Sequence, residues 1–393
     1  MDINKGLSKN SKVILTIAVI LMAIALRVLL FHVYSEDADR EESGWYDVFV
    51  EKGPINAFKE IFYVYSPPLL YLIDITTQFR FIPKEIAIRL ISVIFDFLAA
   101  FAFFKIISFK YPRGFLKWIG FYSMLMLPTV FIESGMWGQS DIIYTSFLMW
   151  AFYFLLREKQ FFAILFFSVA FAFKLQALFF APIFAILFIR RKFNFWLVFV
   201  VPLVYFLSVV PAWLAGGPLD KLLMMYFSQF GTYHSLSMRA PNLYMFIPAD
   251  PGYEVKVLIG MLVTLIIIAG YIIMRRIKWR KTDALSLCFD AVLLLLLIPF
   301  LLPKMHERYF FAGGVFLLLL AFYDYRMIWA AVLAQASALF AYIPYFTGWS
   351  DIFAQIGAII NTILIIGLII EFVRYQKDES LTTHITTETP SFL

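Results

Sequence analysis

The chain has 393 residues, of which 62% are hydrophobic, 19% aromatic and only 15% charged, with a net charge of +6. So little charge over such a length excludes a soluble globular domain and specifies an all-α polytopic membrane protein. The Lys and Arg residues fall in short groups between apolar runs, which is the signature of membrane topology and argues against nucleic acid as a partner.

The first apolar run, "VILTIAVILMAIALRVLLFHVY" (13–34), is long enough for a bilayer core of about 30 Å and lacks a small-residue cleavage site, so it is predicted as a transmembrane helix rather than a signal peptide. Directly after it comes "SEDADREESGWYDVFV" (35–50), with Glu36, Asp37, Asp39, Glu41, Glu42 and Asp47 beside Trp45, Tyr46 and Phe49. A carboxylate held at a membrane surface suits a general base or a divalent-cation ligand, and spacing alone does not choose between them. The next apolar stretch, "SPPLLYLIDITTQF" (66–79), is too short to span, opens on two prolines and carries Asp74. It reads as a helix lying at the outer surface, with proline in the first turn where a missing N–H costs nothing.

Further spans are predicted near 86–108, 117–133, 140–156, 160–174, 176–189, 194–214, 254–275, 283–302, 309–323, 327–346 and 353–374, about twelve in all. With 66–79 left out, every basic group falls on one side: Lys5 to Lys12, Lys105 to Lys117, Arg157 and Lys159, Arg190 to Lys192, Arg275 to Lys281, and Arg374 with Lys377. The positive-inside rule makes that side cytoplasmic. Both termini are then cytoplasmic, and residues 34–85 and 215–253 form two long external loops. Loops of that length usually carry function. A single membrane domain is expected over 1–375, followed by a polar, disordered tail over 376–393.

Charges in or beside apolar runs are expensive and need a partner, water or a ligand. Arg27, Asp96, Asp141, Lys174 and Gln176 are of this kind. In "FKLQALFFAP" (173–182), Lys174 stands at an external junction, against the positive-inside tendency, and a phosphate ligand would explain it. "MWGQSDIIY" (136–144) offers Gln139 and Asp141 at the start of a helix behind an interfacial Trp and a turn-forming Gly. "PKMHERYFF" (303–311) gathers Lys304, His306, Glu307 and Arg308, a set suited to an anionic headgroup. "SMRAPNLYMF" (237–246) adds Arg239 and Asn242, which suit hydroxyl or phosphate hydrogen bonds. The chain has one cysteine, Cys288, and no Walker loop, nucleophile elbow or paired Cys/His metal ligands.

Taken in order, the acidic first loop, "GWYDVFVEKGPINAFKE" leading to "YSPPLLYL", "WGQSD", "FAFKLQALFFAP" and "KMHERYFF" resemble the bacterial membrane glycosyltransferases related to GPI mannosyltransferases. More distantly they are similar to the dolichol-dependent enzymes that extend lipid-linked oligosaccharides, all of the GT-C fold. The resemblance runs from about residue 13 to 374. It implies a GT-C transferase of about twelve transmembrane helices with external juxtamembrane helices, in the bacterial plasma membrane. Such an enzyme takes a hexose, with mannose favoured, from a polyprenyl-phosphate donor to a hydroxyl of a lipid, glycan or protein at an external site. It also implies an essential acid in the first external loop. Relatives place an Asp eight residues before Trp-Tyr-Asp, which marks Asp37, with Asp39 in reserve. Glu36 stands where glycine is usual, and "YSPP" where relatives have Tyr-Pro-Pro or Tyr-Thr-Pro-Pro.

The chemistry agrees: transfer needs a base on the acceptor hydroxyl and cations at the departing phosphate, roles open to the acidic loop and to Lys174, His306 and Arg308. Direct displacement would invert the anomeric centre. The competing readings are a lipid-linked sugar flippase, which should show internal repeats and broken helices at mid-membrane depth, and a glycan polymerase or ligase.

Overall fold

A computed structural model of the chain describes residues 8–229 and 234–378. Helix α1 (Lys9–Leu30) starts at Ser8, whose side chain accepts the Ser11 N–H. A π-helical turn, Asp37–Glu42, leads into α2 (Ser43–Ala57) and then α3 (Pro67–Thr76). Next come α4 (Lys84–Lys110), α5 (Leu116–Leu125), α6 (Pro128–Phe131), a second π-helical turn Ile132–Trp137, α7 (Asp141–Leu156) and α8 (Gln160–Phe173). After a 3₁₀ segment, Leu175–Phe180, follow α9 (Pro182–Ile189), α10 (Val200–Leu214), α11 (Leu219–Leu223) and α12 (Met225–Gln229). The rest is β1 (Ser237–Met238), α13 (Tyr253–Ile277), α14 (Ala284–Leu301), β2 (Met305–His306), α15 (Phe311–Tyr323), α16 (Ile328–Thr347) and α17 (Ile352–Lys377).

Among the described residues, seven helices are long and apolar enough to cross a bilayer. One bent pair, Leu116–Leu125 with Pro128–Trp137 at 44°, forms a broken span, and four shorter apolar helices lie at 141–156, 160–173, 175–189 and 311–323. These segments fall on the twelve predicted apolar stretches. The break before α6 has a simple cause: Pro128 sits at the first helical position, where it starts a helix but cannot continue one from Met126. Residues 66–79 form the ten-residue α3 with Pro67 and Pro68 in its first turn, and α3 is not among the candidate spans. α17 runs through Lys377, so the predicted tail begins later than residue 376; its remainder, 379–393, lies outside the described residues, as does Lys5.

The chain divides into two compact units, Met1–Ala177 with Trp196–Tyr233, and Leu178–Phe195 with His234–Leu393, where one domain over 1–375 is expected from sequence. In the first unit α4, α7 and α8 form the interior, with Ala99, Ala102, Phe103, Leu148, Phe152 and Phe167 buried. α1 flanks them and presents Ile14, Leu21, Val28 and Leu29 outward, as a lipid-facing helix does. Arg27 of α1 donates Nε–H to Asp96 of α4 at 2.7 Å, and both are sealed from solvent. Two more of its N–H groups bond the carbonyls of Ala23 and Leu125. The costly charges at 27 and 96 therefore answer each other. α4 and α7 both run from the acidic turns toward the basic clusters 105–117 and 157–159, so this unit carries the acidic turns at one end and those clusters at the other.

In the second unit α14 is the most buried long helix and packs against α15 and α17, while α13 exposes an apolar face with Ile259, Leu262 and Ile266. A second sealed ion pair, Arg275 Nε to Asp290 Oδ1 at 2.8 Å, joins α13 to α14.

Candidate active site

The acidic turn is built by its own side chains and by one arginine. The Ser35 N–H donates to Asp39 Oδ2 at 2.6 Å, the Asp39 N–H returns to the Ser35 carbonyl at 2.8 Å, and Ser43 Oγ donates to the Ala38 carbonyl at 2.8 Å. Arg89, one turn into α4, then grips Asp39 with both terminal nitrogens, at 3.0 and 2.8 Å. The same guanidinium donates to the carbonyls of Val33, Met136 and Glu85. It therefore ties the end of α1, the acidic turn and the second π-helical turn to α4. Burial by itself would raise the Asp39 pKa; the Arg89 bonds, the Ser35 N–H and the Arg89 charge outweigh it, and the carboxyl stays below the usual carboxylate value.

Asp37, two residues earlier, is half-buried, and its Oδ2 accepts the indole N–H of Trp137 at 2.7 Å. Trp137 is fully buried and closes the turn Ile132–Trp137. Gly138 follows in the left-handed region, φ 78°, and a Cβ there would stand 2.6 Å from the Ala38 Cβ. Only glycine satisfies both the dihedral and the contact, so "WGQSD" is pressed directly onto the acidic turn. Gln139 is anchored through its backbone, accepting from Ser92 Oγ and donating to the Glu133 carbonyl, and its side-chain oxygen is buried without a hydrogen-bond partner.

Lys174 and Asp141 meet where α8 ends and α7 begins. The ammonium donates to Asp141 Oδ2 at 2.8 Å, and both groups are buried. An acid at a helix start and a base at a helix end each match the helix dipole, so the antiparallel pair α7 and α8 supports the bridge. Lys174 also lies 5.5 Å from the ring centre of Tyr65 and 6.0 Å from that of Tyr144. Tyr65 in turn packs edge-on against Trp45 of α2. The Lys that the sequence places at an external junction and matches to a phosphate thus has a carboxylate within the same unit. Gln176 lies buried two residues further, in the segment Leu175–Phe180.

The other sequence candidates belong to the second unit. β1 and β2 pair in parallel, Ser237 with Met305 and Met238 with His306. Arg239 and Lys304, beside this pairing, both have left-handed backbone, φ 59° and 63°. Glu307 is buried between its two chain neighbours: Arg308 donates to its Oε1 at 3.0 Å and His306 Nδ1 lies 3.8 Å from Oε2. Burial pushes the Glu307 pKa up, but the His306 bond and the Arg308 charge hold it below its ordinary value. Arg239 pairs with Asp351 at 2.9 Å. Asn242 caps the 3₁₀ turn at Tyr244 and donates to the carbonyls of Pro299 and Leu302, which makes it a brace for the end of α14.

Sequence reasoning did not single out Arg89 or the partnership of Trp137. Among the described residues no three His, Cys, Asp or Glu side chains gather as they do around a metal ion.

A family model described as Glycosyltransferase family 87 matches residues 63–303, more than half of the chain. The match takes in Arg89, Trp137, Asp141, Lys174, Arg239 and Asn242, begins after the acidic turn and ends before His306. No curated protein matches the chain in sequence. With its helical membrane architecture, the chain belongs to glycosyltransferase family 87, a family of GT-C-type membrane glycosyltransferases.

Proposed function

We propose that this glycosyltransferase moves a single hexose, mannose by preference, from a polyprenyl-phosphate carrier to a hydroxyl of a lipid, glycan or protein, with Asp37 as general base. The observation that carries this reading is the contrast between two neighbouring acids. Asp39 has both oxygens gripped by Arg89, whereas Asp37 is half exposed and one of its oxygens accepts a neutral indole N–H. A carboxylate matched by a guanidinium is the poorer proton acceptor.

In the proposed step the acceptor oxygen attacks the anomeric carbon from the face opposite the phosphate. The new C–O bond forms as the anomeric C–O bond to phosphate breaks, the proton goes to Asp37, and the electron pair leaves with the polyprenyl phosphate. One displacement inverts the configuration. Cations stabilise the departing charge. Within the first unit, Lys174 with Gln176 is proposed for the departing phosphate; the second unit by itself offers His306, Arg308 and Arg239 to an anionic group. At Lys174 a phosphate would share the ammonium with Asp141, and Glu307 would hold Arg308 in place.

The charge distribution supports one side of the membrane for this site. The acidic turns of the first unit lie at the end opposite the basic clusters 105–117 and 157–159, so the positive-inside rule supports a non-cytoplasmic site and cytoplasmic termini; the bacterial plasma membrane is proposed from the family resemblance.

The test is transfer of radiolabelled sugar from synthetic polyprenyl-phosphate-mannose and polyprenyl-phosphate-glucose to lipid and glycan acceptors, with purified wild type beside Asp37→Asn. Transfer by wild type and its loss in a folded Asp37→Asn protein is the expected result. Wild type that uses neither carrier, or that only moves lipid-linked sugar across vesicles, would sink the reading.

A further inference from the structure

We propose that Trp137 is the positioning residue of the base: its indole N–H fixes one oxygen of Asp37 and orients the other toward the acceptor hydroxyl. The inference rests on the reading of Asp37 as base. An indole N–H is a donor only, so it cannot compete for the proton that Asp37 takes. It also favours the charged carboxylate over the neutral acid, which keeps the base ready while holding its rotamer.

Both ends of the bond are fixed by backbone. Trp137 closes a π-helical turn, a rare conformation that recurs at functional sites, and Asp37 opens another. Gly138 and Ala38, the residues following each partner, pack in direct contact. Arg89 grips the neighbours of both, the Met136 carbonyl before Trp137 and the Asp39 carboxylate after Asp37. The 2.7 Å bond therefore joins two segments, one hundred residues apart, whose separation the protein sets independently of that bond. A buried Trp needs a partner for its N–H, but a backbone carbonyl would serve packing equally well. The choice of a half-exposed carboxylate is what marks a functional role.

The charged groups on the elements packed around Asp37 include Glu36 at the cap of its turn, Asp39, Arg40, Glu41 and Glu42 within it, Asp47, Glu51 and Lys52 of α2, Lys84, Glu85 and Arg89 at the start of α4, and Glu133 of the turn that carries Trp137. All remain when the indole nitrogen alone is altered.

The experiment replaces Trp137 by 3-benzothienylalanine, which keeps the bicyclic shape and puts sulfur in place of the N–H. Trp137→Phe serves as a second variant. With polyprenyl-phosphate-mannose as donor, kcat should fall roughly tenfold at unchanged KM, and the acidic limb of the pH profile should move up by about one pH unit, the loss of one bond to a charged acceptor. Carbodiimide and glycinamide labelling of Asp37, read by mass spectrometry across pH, should show the same upward shift without turnover. A rate loss with an unmoved limb and an unmoved labelling midpoint would mean a structural role only and overturn the proposal, as would an unchanged rate. Asp37→Asn with full transfer activity would instead overturn the base assignment, independently of the labelling result.

Discussion

Arg89 holds Asp39 through both carboxylate oxygens, with its own side chain sealed from solvent and its remaining hydrogen bonds spent on three carbonyls. We expect this arrangement to serve architecture rather than turnover. Asp39→Ala leaves a buried guanidinium without its counter-ion, and breaking such a pair from one side costs about 3–5 kcal/mol. Asp39→Asn and Arg89→Lys should behave similarly, since lysine cannot reproduce the two-pronged geometry. Thermal unfolding of the purified protein in detergent should show all three melting well below wild type, whereas Asp37→Asn should melt near it. Equal melting of Asp39→Asn and wild type would remove the structural role.

The same pair sets a pH dependence. The folded pKa of Asp39 lies below its ordinary value, burial opposing and the Arg89 contacts prevailing. A depressed carboxyl contributes stability that is complete above the unfolded pKa, about 3.9 for Asp, and is lost as pH falls through the lower folded pKa. The melting temperature of wild type should therefore drop on acidification below about pH 4, and the gap between wild type and Asp39→Asn should narrow there. A gap that stays constant down to about pH 2 would show that Asp39 does not titrate in this way.

Lys174 and Asp141 form a pair in which each is the other's reason for burial. Lys174→Met and Asp141→Asn should each destabilise by about 3–5 kcal/mol, while the double variant should lose much less than the sum. Coupling of this size would assign the pair to holding α7 against α8. If Lys174 also meets donor phosphate, the double variant should fold yet show a raised KM for polyprenyl-phosphate-mannose. A folded double variant with unchanged KM would leave Lys174 a purely structural part.

What the sequence makes legible here follows from the solvent. A bilayer fixes the length of an apolar run, so the twelve apolar segments and the short helix opened by Pro67-Pro68 can be read directly. Arg27, Asp96, Asp141 and Lys174 stand out as charges at costly positions. Sequence does not say that they pair across 69 and 33 residues. Arg89 is less legible still. Four residues after Glu85 it reads as an ordinary pair along one helix face, yet its carboxylate is Asp39, fifty residues upstream. Trp137 reads as an interfacial anchor because its N–H partner lies one hundred residues away, and neither π-helical turn has a compositional signal.

The charge distribution supports a non-cytoplasmic acidic turn, and cysteine accessibility tests it directly. Cys288 is buried in α14 and is the only cysteine in the chain, so Cys288→Ala gives a background without thiols. Glu36 and Arg113 are both exposed, one beside the acidic turn and the other in a basic cluster of the same unit. Glu36 pairs only at the surface with Arg40, at 2.6 Å, and such pairs contribute about 0–1 kcal/mol, so Glu36→Cys should fold normally. On intact cells a membrane-impermeant maleimide should label Glu36→Cys and leave Arg113→Cys unmodified until the membrane is opened. The reverse pattern would put Asp37 in the cytoplasm, where acceptor and donor would have to be met from the other leaflet. Labelling of both before the membrane is opened would mean that the first unit does not separate its two ends by a bilayer.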